Sequence, residues 1–207
     1  MTYLEKCYTK ENKAFIYRTF GKMESDHHKS IILDMVENKT PNIWSLLAYM
    51  AKRAKVQRYM EIGVRRGYSM AMVAGRRPDC TIVGFDMWKA GYGGAENPGP
   101  IFVEQEMAKL GYRGHLEFIN GDSALTVPDY YTQADEPFDL ILVDGDHSYN
   151  GMRQDIKNAL PLLSESGYLI VDDLHDETVI KGWRNLISDF KTHIFTSAGR
   201  VGIITQG

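Results

Sequence analysis

The chain alternates between short runs rich in β-branched or aromatic residues and longer segments whose apolar residues recur at helical spacing. The short runs are predicted strands over 58–63, 81–86, 116–121, 138–144 and 167–173. Their apolar residues are mostly continuous, a pattern typical of strands buried on both faces of a sheet. Strands alternating with helices in this way predict a doubly wound α/β fold, with a largely parallel sheet and helices on both faces.

Helices are predicted between and around these strands. Apolar spacing turns helical from Asp26 onward, and Pro41 is predicted to open a second helix before the first strand. Later helices are expected over about 68–76, 101–111, 149–163 and 176–190. Two strand-like runs at 192–197 and 200–206, joined by an Ala-Gly turn at 198–199, predict a closing antiparallel hairpin.

Length and composition indicate one globular domain. The chain has 207 residues, 43% of them hydrophobic, and a net charge of −3. We expect residues 1–55 to form a helical lid or oligomerisation segment and residues 56–207 to form a ligand-binding core. No apolar run approaches the roughly 18 residues that span a bilayer, and the amino terminus is too polar for a secretory signal. These features predict a cytoplasmic protein, which we expect to be a homo-oligomer.

Charge and cysteine patterns exclude other classes of function. Basic residues crowd the stretch 52–77, but the chain as a whole is mildly acidic and the stretch lacks interleaved aromatic residues. A solvated helix face is therefore favoured over a nucleic-acid interface. The two cysteines, Cys7 and Cys80, lie far apart and have no spacing typical of a disulfide framework or a zinc site.

A glycine-containing turn follows the first predicted strand in the stretch "YMEIGVRRGYSMAMV". It places Glu61 at the strand end, Gly63 and Gly67 in the turn, and Ser69 at the start of a helix. Ligands of open α/β sheets bind at the carboxyl ends of strands, where glycines allow the backbone to come close. The turn lacks the G-x-G-x-x-G spacing of dinucleotide sites, and Glu61 would repel a pyrophosphate. A cationic or zwitterionic ligand is therefore favoured over NAD.

This E-x-G-x-x-x-G-x-S turn, together with the final hairpin, resembles the class I S-adenosylmethionine-dependent methyltransferases. The resemblance implies a seven-stranded Rossmann-like sheet in which Glu61, Gly63, Gly67 and Ser69 face the methionine end of the cofactor. It further implies that Asp86 accepts hydrogen bonds from the ribose and that Asp122 and Ser123 face the adenine. The alternative for each acid is an ordinary turn or helix cap.

Acidic residues also end the fourth and fifth predicted strands. Asp144 is followed by His147, and Asp172 and Asp173 end the fifth strand. Because neighbouring strands lie about 4.8 Å apart, these side chains are expected to converge on one cation. Carboxylates without a nearby thiolate suit Mg²⁺ best, with Mn²⁺ or Ca²⁺ as alternatives. The competing interpretation is that these acids are solvated caps.

The segments "VDGDHSY" and "GYLIVDDL" resemble metal-dependent O-methyltransferases, in particular the macrocin-type sugar methyltransferases and more distantly catechol O-methyltransferase. The resemblance implies that Asp144, Asp172 and Asp173 bind the metal, that Asp144 also borders the cofactor, and that His147 is the general base. Asp146 has three open roles: it orients His147, contacts the substrate, or caps the following helix.

The acceptor is expected to be a small hydroxylated molecule, most simply a sugar. Trp88 and Tyr92 in the glycine-rich segment 87–100, together with His175, are the weaker candidates for contacting it. Arg65 and Arg66 are candidates for holding an anionic acceptor. Two alternatives stay open: a metal-independent methyltransferase or hydroxylase-like relative, and a non-catalytic cofactor-binding partner protein.

Overall fold

The computed structural model describes residues 3–91, 96–133, 136–174, 176–187, 193–197 and 201–205. Their strands form one mixed sheet in the order β3-β2-β1-β4-β5-β7-β6. Strands β1 to β5 run parallel to their neighbours, whereas β7 pairs antiparallel with both β5 and β6. The strands are β1 (Arg58–Ile62), β2 (Thr81–Asp86), β3 (Leu116–Asn120), β4 (Phe138–Val143), β5 (Leu163–Val171), β6 (His193–Ser197) and β7 (Val201–Thr205).

Strands β1 and β4 are neighbours at the centre of the sheet, and the strand order reverses between them: β2 and β3 follow on one side, β5 on the other. In register, Ile62 pairs with Phe85 on one side and with Val143 on the other. Val143 in turn pairs with Val171. Consequently the carboxyl ends of β1, β2, β4 and β5 lie along one edge. In parallel α/β sheets, a crevice opens at such a reversal and holds the ligand.

Helices cover both faces of the sheet, as the alternation in the sequence predicts. They are α1 (Tyr3–Cys7), α2 (Lys10–Lys22), α3 (His27–Glu37), α4 (Ile43–Arg53), α5 (Tyr68–Arg76), α6 (Pro100–Leu110), α7 (Ser123–Tyr131), α8 (Tyr149–Ala159) and α9 (Glu177–Ile187). One core lies between the sheet and α2 to α6; the other joins the opposite face to α7, α8 and α9. None of these described helices is both long and apolar enough to cross a membrane.

The amino-terminal helices are part of the first core. Phe15, Ile16 and Phe20 of α2 are buried with residues of α4 and α5. Asn12, itself buried, donates to the Cys7 and Ser45 carbonyls at 2.7 and 2.9 Å and accepts from Arg76 Nη2 at 2.9 Å. These contacts anchor the amino-terminal helices to α4 and α5.

The element boundaries differ from the sequence prediction in several places. The helix expected over about 149–163 ends at Ala159, and a 3₁₀ turn over Leu160–Leu162 leads into β5. The helix expected to open at Pro41 begins at Ile43, because the Asn42 side chain accepts from Ser45 N–H and caps it. Helix α7 was not predicted, since its sequence contains Pro128. Strand β5 begins at Leu163, four residues before the predicted start at Gly167. The Ala-Gly turn at 198–199 lies outside the described residues.

Candidate functional site

The turn after β1 packs tightly against the backbone that follows β4. Gly63 has φ +88°, and a Cβ added to it would lie 2.0 Å from the Asp144 carbonyl oxygen. Gly67, at φ +71°, caps α5, where an added Cβ would meet Val103 at 2.7 Å. Glycine is needed at both positions because the backbone is left-handed and the space is filled. Both predicted glycines thus hold the turn at the strand reversal.

Glu61 is fully buried at the end of β1 beneath this turn. Its carboxylate accepts hydrogen bonds from Tyr59 Oη at 2.7 Å and from Ser69 Oγ of α5. Burial raises the pKa of Glu61 to about 8, although the two hydroxyl donors act in the opposite direction. The side chain is therefore held rigidly, and it is largely protonated at neutral pH until a cation comes near.

Asp86, at the end of β2, binds the same turn from the other side. Its Oδ2 accepts from the backbone N–H groups of Val64 and Arg65, both at 2.8 Å. Its Oδ1 accepts from Trp88 N–H at 2.5 Å and from Asn97 Nδ2 at 3.2 Å. The predicted ribose acceptor therefore already organises the glycine turn, and a ribose hydroxyl would join an existing network.

Asp122 and Ser123 begin α7 after β3. Asp122 is exposed and caps the helix by accepting from Ala124 N–H at 2.9 Å. Ser123 Oγ donates at 2.6 Å to Oδ1 of Asp155, which is only 1% exposed. Burial raises the Asp155 pKa to about 6, although hydrogen bonds from Ser123 and from the Asp146 backbone act in the opposite direction. Its Oδ2 lies close to Gly145. A buried carboxylate thus links the start of α7 to the turn after β4.

Asp144, His147 and Asp173 converge at the carboxyl ends of β4 and β5. His147 Nε2 lies 3.2 Å from Asp173 Oδ2 and 3.8 Å from Asp144 Oδ1. The three residues each offer one ligand atom, and these atoms lie within 4.8 Å of one another. Burial raises the pKa of Asp144 to about 6, while the neighbouring carboxylates, Asp144 first, raise that of His147. The group is an acidic cluster with a half-exposed imidazole at its rim.

Asp172 is the predicted ligand that does not join this cluster among the described residues. Its backbone N–H donates to the Val143 carbonyl at 3.1 Å, which continues the β4–β5 pairing by one residue. Asp173 then takes a left-handed conformation, φ +57°, and its carboxylate reaches His147. Ser148 caps α8, because its Oγ accepts from Gly151 N–H at 3.0 Å. Asp146 supports this cap: its carboxylate accepts from Ser148 N–H at 2.8 Å and from Ser148 Oγ at 3.0 Å.

The Asp144, His147 and Asp173 donors fit a divalent cation of the hard type. Two carboxylates and one imidazole, without a thiolate, suit Mg²⁺ or Mn²⁺. A cation bound there would polarise a hydroxyl oxygen and stabilise the negative charge that develops on it. His147 is also the predicted base. Its Nε2 cannot bind a metal and accept a proton at the same time.

Two of the three candidate acceptor contacts lie outside the described residues: Tyr92 and His175. The third, Trp88, packs edge-on against Phe118 with ring centroids 5.5 Å apart, and its Nε1 donates to Asn120 Oδ1 at 2.6 Å. Trp88 therefore covers the β2–β3 edge of the sheet instead of standing over the cluster.

Sequence reasoning missed two members of the site, Tyr59 and Asp155. Tyr59 lies within an apolar strand, so the sequence indicates a packing residue. Asp155 lies in the middle of a helix, so the sequence indicates a surface residue. A signal for Asp155 exists in hindsight: in "YNGMRQDIKNA" it stands next to Ile156 and one helical turn after Met152, on the buried side of α8.

Sequence comparison identifies the family. A family model described as a methyltransferase domain matches residues 60–174, which is more than half of the chain. The matched segment contains the glycine turn, Asp86, the α7 start and the acidic cluster. No curated protein sequence matches the chain.

Solved structures resemble the fold at low sequence identity. CalS11, a TDP-rhamnose 3'-O-methyltransferase of calicheamicin biosynthesis, is 16% identical with a TM-score of 0.61 over 96% of both chains. TomG from Streptomyces achromogenes, an O-methyltransferase solved with S-adenosylmethionine, is 16% identical with a TM-score of 0.59 over 94% of this chain and 96% of its own. MycE of mycinamycin biosynthesis, solved with Mg and SAH, is 17% identical with a TM-score of 0.61 over 94% of this chain and 54% of its own. The chain therefore belongs to the methyltransferase-domain family and has the Rossmann-like fold of S-adenosylmethionine-dependent methyltransferases.

Proposed function

We propose that the protein is an S-adenosylmethionine-dependent O-methyltransferase that acts on a hydroxyl of a small acceptor, a sugar in glycan or natural-product assembly, with the help of a divalent metal. The observation that carries this proposal is the His147–Asp144–Asp173 cluster, with Nε2 3.2 Å from Asp173, at the same sheet edge as the glycine turn. The names of CalS11 and MycE, which act in natural-product pathways, support the acceptor class.

The cofactor is proposed to lie across the strand reversal. Glu61, Gly63, Gly67 and Ser69 would face its methionine part, Asp86 its ribose, and Asp122 and Ser123 its adenine, with Asp144 at the border. When bound, S-adenosylmethionine supplies a methyl group on a positively charged sulfur. The buried Glu61 carboxylate favours a positive ligand, and the rigid turn holds the ligand in one orientation.

His147 is proposed to remove the proton of the acceptor hydroxyl. Its imidazole is half exposed, at 45%, so an acceptor has access to it. The carboxylates of Asp144 and Asp173 orient the ring and stabilise its protonated form, which raises its pKa. Asp144 and Asp173 are the proposed metal-binding residues, with Asp172, which follows the end of β5, as a third candidate. A metal would lower the pKa of the acceptor hydroxyl.

Residues 1–55 are proposed to act as a lid over the cofactor turn. Arg66 of the turn pairs with Asp26 at 3.2 Å and with Glu24 at 3.4 Å, and Tyr68 Oη donates to Asp26 at 2.8 Å. These contacts join the α2–α3 connection to the segment that would hold the cofactor. The lid would thus limit access of water to the methyl group.

Calorimetric titration with S-adenosylmethionine, with and without Mg²⁺, tests the proposal. We expect binding of the cofactor in both conditions, and release of S-adenosylhomocysteine when a panel of hydroxylated sugars and catechols is added with Mg²⁺. His147→Ala should keep the cofactor affinity and abolish turnover. Absence of cofactor binding would refute the proposal, and binding without turnover of any acceptor would favour a non-catalytic partner protein.

A metal-independent methyltransferase is the second candidate. It is favoured by the direct contact of His147 Nε2 with Asp173, because a carboxylate–imidazole pair acts as a base without a cation. Treatment with EDTA separates the two candidates: turnover that is unchanged by EDTA selects the metal-independent mechanism. Asp172→Asn gives a second comparison, since it should weaken metal dependence only if Asp172 reaches the ion.

A further inference from the structure

Two adjacent arginines in the glycine turn have opposite environments. Arg66 is buried, at 6% exposure, and its guanidinium pairs with Asp26 at 3.2 Å and with Glu24 at 3.4 Å. It also lies over the Phe102 ring, 4.6 Å from the centroid. Arg66 is therefore engaged in ion pairs and a ring contact that hold elements of the fold together, although its Nε, like that of Arg65, makes no hydrogen bond with the described residues.

The guanidinium of Arg65 makes no hydrogen bond or ion pair with any of the residues that the structure describes, and its Nε is buried without a partner. Its backbone is nevertheless fixed: Arg65 N–H donates to Asp86 at 2.8 Å, and its φ is +55°. A left-handed conformation is unfavourable for a non-glycine residue and is commonly kept at binding sites. Arg65 thus presents unused donors from a rigid position.

The turn that carries Arg65 lies between the acidic cluster and a group of aromatic rings. Gly63, two residues before Arg65, touches the Asp144 carbonyl, and Tyr68, three residues after it, lies 6.1 Å from the His28 ring. Burial is the largest influence on the pKa of both Asp144 and His28, and the charge of Arg65 also acts on both: it favours the Asp144 carboxylate and disfavours protonation of the His28 imidazole. The His28 ring in turn packs edge-on against Trp44 at 5.9 Å.

We propose that Arg65 determines acceptor specificity by binding a carboxylate or phosphate group of the hydroxylated acceptor. The proposal rests on the methyltransferase function proposed above. A guanidinium suits a carboxylate or phosphate because it offers parallel N–H donors in one plane. Near Asp144 and Asp173 an anionic acceptor would otherwise be repelled, and Arg65 offsets that repulsion. His28 and Trp44 are both partly exposed, and the proposal places them beside the bound anion.

Matched neutral and anionic probes test this proposal on the full chain saturated with S-adenosylhomocysteine and Mg²⁺. The pairs are catechol with 3,4-dihydroxybenzoate, and glucose with glucuronate and glucose 6-phosphate, with affinity measured by ligand-observed NMR. We expect the wild type to bind at least one anionic probe roughly tenfold more tightly than its neutral partner, the usual effect of one charge-assisted hydrogen-bonded contact. Arg65→Met should remove the preference, and Arg65→Lys should restore part of it.

Arg113→Met is the matched control, because Arg113 is an exposed arginine that pairs with Asp79 at 2.9 Å, away from the turn. It should keep the preference for the anionic probe. A wild type without such a preference, or an Arg65→Met variant that retains it, would overturn the proposal.

The carboxylate of the cofactor itself is the other source of the same chemistry. If Arg65 bound that group, Arg65→Met would weaken binding of S-adenosylhomocysteine but not of 5'-deoxy-5'-methylthioadenosine, which lacks the amino-acid part, and the proposal would fail. We expect both affinities to change by less than twofold. A wild type that binds no S-adenosylhomocysteine would instead refute the proposed function, so the two failures are distinguishable.

Discussion

The buried Glu61 side chain lies at the end of β1, where the cofactor is proposed to bind. Neither oxygen faces solvent, and hydroxyl donors from β1 and α5 satisfy both. Burial favours the protonated form, whereas a nearby cation favours the carboxylate. The charge of Glu61 is therefore expected to depend on whether the site is filled.

Cofactor binding should release a proton from Glu61. Because its pKa is about 8, the side chain is mostly protonated at pH 7, and a positive ligand shifts it toward the carboxylate. Titration calorimetry in phosphate and Tris, which differ in ionisation enthalpy, should show close to one proton released per cofactor at pH 7 and almost none at pH 9.5. Glu61→Gln should release none. Equal apparent enthalpies in both buffers for the wild type would contradict this role.

Asp155 should make the protein less stable as the pH rises from about 4 to about 6. Its pKa is raised from 3.8 to about 6, so the unfolded chain loses the proton first and the folded state binds more protons in this window. Asp155→Asn removes the penalty. Relative to the wild type, its free energy of unfolding should rise across this window by about 3 kcal/mol.

Urea denaturation at pH 4, 5, 6 and 7 measures that difference. Asp129→Asn provides a matched control, because it makes the same chemical change at an exposed side chain of α7. A constant difference for Asp155→Asn would contradict the expected titration of the buried group.

The conformation of the glycine turn between β1 and α5 depends on Gly63. Gly63→Ala should destabilise the fold by at least about 2 kcal/mol and abolish cofactor binding, because the new Cβ would enter the Asp144 carbonyl at a left-handed φ. Gly21→Ala on α2 is the control: no atom of the residues described in the structure lies within 4 Å of its added Cβ, so stability should be unchanged or up to about 1 kcal/mol higher. Thermal unfolding compares them, and normal stability in Gly63→Ala would contradict the packing.

Helix α7 is an element that the sequence analysis did not predict. Pro128 lacks the N–H that would bond the carbonyl four residues earlier, so the pattern favours a loop. In the folded chain that carbonyl, of Ala124, is approached by Asn158 Nδ2 of α8 at 3.5 Å. The compensating partner comes from a distant part of the sequence, which a local pattern does not reveal.

The ion pairs of Arg66 connect the segment between α2 and α3 to the glycine turn. Arg66→Met should lower the free energy of unfolding by about 1–3 kcal/mol, since it leaves Asp26 and Glu24 without their cation. Hydrogen exchange of the α2–α3 connection should accelerate together with that of the turn. Arg113→Met, which removes a pair between exposed side chains, should leave both rates unchanged. Acceleration confined to the turn would show that the N-terminal segment is held by its apolar core alone.

The sequence predicted the parallel strands well because each is a nearly continuous apolar run flanked by turn residues. It placed Asp144 and His147 correctly beside each other, since only two residues separate them. It did not distinguish Asp172 from Asp173, because the choice depends on a left-handed residue beyond the strand end. It also did not predict that Trp88 would pack on Phe118, which belongs to a neighbouring strand. Contacts that depend on strand order or on unusual backbone angles were the ones missed.

The central position of β1 has a consequence for the order in which the chain is made. One edge of β1 pairs with β2, which follows soon after it, but the other pairs with β4, which is synthesised only after α5, β2, α6, β3 and α7. Until β4 has been synthesised as far as Val143, the apolar strand β1 has one edge whose backbone groups lack their β4 partners. A chain released before that residue would present this open edge to other chains, so truncation products ending before β4 should aggregate.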